Sequence, residues 1–76
     1  MTQEIIKAVR GGAKRIRAIY RESKKLYDRL DRKSRTANGL DFGESETHDF
    51  EDGFSSALHI ALVVLADELT SVGIKL

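Results

Sequence analysis

Residues 2 to 36 constrain this chain more than any other stretch, because their apolar positions follow an unbroken 3-4 alternation. Ile5, Val9, Gly12, Ile16, Ile19, Ser23, Leu26 and Leu30 form the seam, and Ile6, Ala13, Tyr20 and Tyr27 form a second row that widens it. Spacing of this kind, sustained over successive heptads, predicts one long helix packed lengthwise against another helix rather than crossing it steeply. The opposite side carries Lys7, Arg10, Lys14, Arg17, Arg21 and Lys24, each three or four residues from the next. A single helix thus offers an apolar stripe for packing and a basic stripe for something else.

The expected span of this helix is about 3–36. Thr2 serves as the expected N-cap, Met1 and Ile6 as a hydrophobic staple, and Glu4 suits the positive end of the helix dipole. Arg32, Lys33 and Arg35 suit the negative end, and Asn38-Gly39 supplies the stop. Gly11-Gly12 is the weak point, since each glycine costs roughly 1 kcal/mol relative to alanine inside a helix. The pair fits close helix packing or a kink that breaks the helix. Within Arg10-Gly11-Gly12-Ala13-Lys14-Arg15 it could also let backbone N–H groups approach an anion, although no strand precedes it and the glycine pattern of a phosphate loop is incomplete.

Residues 37–47 read as an acidic, glycine-containing loop. Asp41, Ser45, Thr47, Asp49 and Asp52 share some spacing with a calcium loop, but Gly43, Glu46 and Asp52 stand where other ligand or turn residues belong. A second helix is expected over about 48–72, with Gly73 as its stop and Ile74 and Leu76 left to pack or fray. On a 100° wheel Phe54, Leu58, Ala61, Leu62, Leu65, Leu69 and Val72 make one face, extended by Phe50, Ala57, Ile60 and Val64. That arc covers roughly half the circumference, more than one partner helix can bury. Glu68 falls inside it, where an unpaired carboxylate would be costly, so a first-helix cation is its expected partner. His59 lies at the arc's edge.

A chain of 76 residues forms one small domain with a modest core and usually needs a staple. With no cysteine and two histidines, neither a disulfide nor a usual zinc site is at hand. Proline is absent, as suits long helices. The expected architecture is therefore all-α: an antiparallel helical hairpin, its first helix open to breakage at Gly11-Gly12, assembling into a homo-oligomeric helical bundle such as a dimer of four helices. The most apolar run, Ala57 to Ala66, contains His59, is followed by Asp67 and Glu68, and falls far short of the ~20 residues a bilayer requires. No membrane association and a cytoplasmic location are expected.

Charge is sharply divided. Residues 1–36 hold twelve Lys/Arg against four acids, a net of +8, and residues 37–76 hold one Lys against eight acids, a net of −7. An antiparallel hairpin would set Arg29, Arg32, Lys33 and Arg35 near Glu46, Asp49, Glu51 and Asp52. It would leave positive charge uncompensated around Lys7, Arg10, Lys14, Arg15, Arg17 and Arg21, opposite a stretch whose only acids are Asp67 and Glu68.

No nucleophile-and-base arrangement, Walker loop, dinucleotide fingerprint or HExxH occurs, so no enzymatic activity, cofactor or bound metal is expected. The favoured function is that of a small binding protein whose basic helix face takes an anionic ligand, either nucleic acid or a nucleotide or other phosphate compound. The six cations from Lys7 to Arg21 are the candidate contacts, Tyr20 and Tyr27 the candidate stacking surfaces, and Glu68 and His59 candidate buried polar partners. The alternative is a regulatory or viral accessory protein that inhibits or adapts a larger partner, docking on its acidic surface through charge-complementary helix contacts.

Overall fold

The computed structural model describes residues 2–75 and contains two helices, α1 (Thr2–Ser34) and α2 (Phe42–Ser71), packed against each other as a hairpin. The molecule is a rod of 56 × 19 × 15 Å. Its length follows from α1, whose 33 residues run straight through Gly11-Gly12. The glycine pair neither breaks the helix nor seats a neighbour, because a Cβ at either position would meet nothing within 4 Å. Thr2 is the first helical residue rather than the residue before the helix. The Met1–Ile6 staple and the packing of Leu76 lie outside the described residues.

α1 ends two residues earlier than its composition suggests. Arg35 N–H donates to the Arg32 carbonyl at 3.2 Å and Thr36 N–H to the Lys33 carbonyl at 3.0 Å, bonds that tighten the last turn. Gly39 then turns the chain with φ +60°, a left-handed conformation that suits glycine. The second helix departs further from expectation, starting at Phe42 rather than near residue 48. Asp41 is its N-cap: the carboxylate accepts from the Glu44 N–H at 2.8 Å, while the Glu44 carboxylate accepts from the Asp41 N–H at 3.2 Å. This reciprocal capping box satisfies two backbone donors at once. It converts what composition alone suggests is loop into nearly two further helical turns, and the partial calcium-loop spacing therefore lies on a helix. Lys33 Nζ reaches Glu44 Oε2 at 2.6 Å, tying the end of α1 to the start of α2. At the other end, Gly73 has φ +83°, its N–H bonds the Thr70 carbonyl, and the Ile74 N–H bonds the Leu69 carbonyl at 2.9 Å. These are the two bonds of a Schellman stop, placed where the sequence puts it.

The contact between the helices uses a different selection of α1 residues from the expected seam. The residues shielded by α2 are Ile6, Val9, Ala13, Ile16, Tyr20, Ser23, Tyr27 and Leu30. Val9, Ile16, Ser23 and Leu30 come from the seam, and the others from the second row. The remaining seam members turn aside, with Ile5 60% and Ile19 51% exposed. On α2 the matching positions are Glu44, His48, Glu51, Ser55, Leu58, Leu62, Leu65 and Leu69, again in 3-4 alternation. Small residues allow the closest approach: Ala13, Ser23 and Ser55 are buried together with Leu30. No large side chain is fully buried among the described residues, so the hairpin has a seam rather than a core.

Chemistry divides that seam in two. Near the loop it is polar: the Ser23 hydroxyl donates to Glu51, His48 Nε2 lies 3.2 Å from Asp31, and the His48 ring stacks on Tyr27 at 4.8 Å. Toward the open end the facing residues are Ile16, Val9, Leu58, Leu62, Leu65 and Leu69.

Two substitutions test the loop-end clasp. Asp41→Ala is expected to lower stability by about 1 kcal/mol in urea unfolding, the usual value of a lost N-cap. The bond from Lys33 and then the Asp41 N–H hold the Glu44 carboxyl below its ordinary value of 4.5. Its contribution is therefore complete above that value and lost as pH falls through the lowered one. Wild type should exceed Glu44→Gln in stability at pH 7, and the difference should close as the pH drops below 4.5.

Candidate anion-binding site

Helix arithmetic separates the basic residues before any contact is considered. At 100° per residue, Lys7, Arg10, Lys14, Arg17 and Arg21 share an arc of about 80°, and Arg15 points away from it. In the structure this arc borders one side of the hairpin seam. Lys7, Arg10, Lys14 and Arg21 are exposed and Arg17 is half-buried. None of the six candidate cations forms an ion pair among the described residues. Arg10 Nε donates to the Lys75 carbonyl at 3.0 Å, which anchors it over the end of α2.

Beside the stripe lies a shallow cleft of about 360 Å³ between the two helices. Tyr20, Lys24 and Tyr27 line it from α1, and Asp52, Ser55, Ser56, His59 and Ile60 from α2. The tyrosines are thus brought to the same cleft, but their rings already have neighbours. Tyr27 stacks on His48, and Tyr20 lies 5.8 Å from His59 at a 35° tilt. Lys24 continues the stripe in position, yet its ammonium sits 3.0 Å from Asp28 and 5.0 Å from the Tyr27 ring centre. The Asp28 hydrogen bond raises its pKa above 10.5.

The loop end behaves differently. Lys33 pairs with Glu44, and Arg35 with Asp31 at 2.9 Å. Of the four loop-end cations only Lys33 pairs across the helices; Arg35 pairs within α1, and Arg29 and Arg32 have no acid within 4 Å among the described residues. Within the single hairpin Glu68 and His59 are not buried. Both are exposed, because α2 turns Leu58, Leu62, Leu65 and Leu69 toward α1 and leaves the rest of its apolar arc uncovered. The Glu68 carboxylate has no cation within 4 Å among the described residues. Among those residues, too, no three His, Asp or Glu side chains gather as a metal ion would need.

Ser55, Ser56, Asp52 and Ile60 belong to the cleft but are missing from a reading of α1 alone. Pairing α2 against the tyrosine row, rather than against the wider seam, is the signal that would have found them.

The uncovered surface of α2 has a second consequence. By length and composition this helix is long and apolar enough to cross a membrane. Its longest run without a polar side chain, 60–66, is nevertheless seven residues, or about 10 Å of helix against a bilayer core of about 30 Å.

No protein family matches the chain, and no curated protein or solved structure is significantly similar to it.

Because Gly11 and Gly12 are ordinary helical residues, their N–H groups belong to the helix rather than to an anion cradle. Gly11→Ala is expected to raise stability by about 0.5–1 kcal/mol and leave anion affinity unchanged. Urea unfolding and a binding titration on the same sample check both halves.

Proposed function

We propose that this chain is a non-enzymatic binding protein. It works as a homo-oligomeric helical bundle, and its basic stripe on α1 takes an anionic ligand, a nucleic acid or a nucleotide-like phosphate compound. The observation that carries this reading is the contrast between the two ends of α1. Lys33 and Arg35 are held by acids, whereas Lys14, Arg17 and Arg21 project from one arc with no carboxylate within 4 Å among the described residues. Cations ordered along a rigid helix give a fixed positive field that draws in and aligns phosphate.

The cleft beside the stripe suits the less charged portion of such a ligand. Tyr20 and Ile60 offer an apolar wall, and the Ser56 hydroxyl and His59 ring offer hydrogen bonds. Tyr27 is the weaker stacking surface, since one face is already covered by His48. In this reading Lys7, Arg10, Lys14, Arg17 and Arg21 contact phosphate and Tyr20 contacts a base or another flat group.

The test is fluorescence anisotropy with labelled single-stranded DNA, RNA, and linear and cyclic nucleotides across a salt series. Binding should weaken steeply with salt for the polymers, through release of counterions. Lys14→Glu with Arg17→Glu should weaken it at least about tenfold. No binding at low salt, or equal binding by the double variant, would turn the reading toward a protein partner.

A further inference from the structure

α1 carries two overlapping heptad seams, and the hairpin uses only one of them. Along the flank opposite the tyrosine cleft Ile5, Gly12 and Ile19 are exposed and Leu26 is half-buried. Ile19 and Leu26 line an open groove of about 900 Å³, where they meet Phe54 of α2, and Ile5 and Gly12 continue the same flank of α1 beyond it. Phe50 is 63% exposed and stacks on Phe54 at 5.4 Å, continuing the same apolar surface. We propose that this groove is filled by the same groove of a second copy, with the two loops at the same end and α1 of each copy lying over α2 of the other.

Charge selects both the occupant and its orientation. α1 is strongly basic and the rest of the chain strongly acidic, so a bundle that alternates them gives each helix two neighbours of opposite sign. The reverse orientation would lay α1 on the partner's α1, cations against cations. A two-fold axis along the bundle preserves height, so residues level within one hairpin are also level across the interface. The contacts Lys33–Glu44 and Tyr27–His48 set Arg29 level with Glu46. The contacts Tyr20–His59 and Arg10–Lys75 set Arg15 close to the level of Glu68. None of these four charges has an ion-pair partner among the described residues. Arg29 already lines the groove.

The same arrangement gives Gly12 a purpose. Nothing within the hairpin comes near it, but at the second seam its missing side chain admits a neighbouring helix. The basic stripe and the tyrosine cleft lie on the other flank and stay open in the dimer. The inference rests on the oligomeric side of the proposed function and not on its anion binding.

Sedimentation equilibrium of the full chain tests it. The expected particle is twice the 8.5 kDa chain mass. Gly12→Leu should abolish the dimer while the monomer keeps its helical circular dichroism, since that position is open in the hairpin. Arg29→Glu or Glu46→Arg alone should weaken dimerisation by about tenfold, and the two together should restore it to within about threefold. A monomer at micromolar concentration, with or without capture by phosphatidylcholine vesicles, would overturn both this inference and the oligomeric reading. An oligomer insensitive to Gly12→Leu and to the charge reversals would overturn only this interface.

Discussion

The seam between α1 and α2 is the constraint on which everything else depends. Two helices have one line of contact, and each can turn only about a third of its surface toward it. What the hairpin encloses is accordingly small: Ala13, Leu30, Ser23 and Ser55 are buried, and large apolar side chains such as Phe50, Ile60 and Val64 stay exposed. A chain of this size with a seam instead of a core meets the usual limit on small domains. The polar contacts near the loop, from Ser23–Glu51 to His48–Asp31, fix the register without adding apolar burial.

That register divides α1 into three lengthwise faces. One meets α2, one is the open seam through Ile19, and one is the basic stripe beside the cleft. Val9, Ile16, Ser23 and Leu30 recur every seventh residue and belong equally to either of two seams. The choice between seams falls on the residues between them. Ala13, Tyr20 and Tyr27 go inward because small and flat side chains fit around the buried serines and the two histidine rings. Ile5, Ile19 and Leu26 are then left outside.

The fold was largely legible in the sequence. Two long amphipathic patterns without proline, separated by Asn38-Gly39, give a hairpin, and Gly73 ends it. The start of α2 was not, because Gly43 and its acidic neighbours have loop composition, while the decisive signal is the pair Asp41 and Glu44 in a capping box. The seam was not legible because a heptad pattern with a doubled row does not say which row meets the partner. Glu68 is exposed within the single hairpin for a related reason: an apolar arc wider than a single interface does not reveal which portion its neighbour covers. Of the candidate site, the basic stripe could be read from α1 alone by periodicity. The α2 side of the cleft could not, since it depends on the register between the helices.

The separation of α1 into independent faces can be measured directly by backbone amide chemical shifts during titration with a short single-stranded oligonucleotide. Shifts should concentrate at Lys14, Arg17, Tyr20, Arg21, Ser56 and His59, with Ile5, Ile19, Leu26 and Phe50 unmoved. Shifts centred on Ile19, Leu26 and Phe50 would contradict that separation, because the ligand would then occupy the flank assigned to a second copy of the chain.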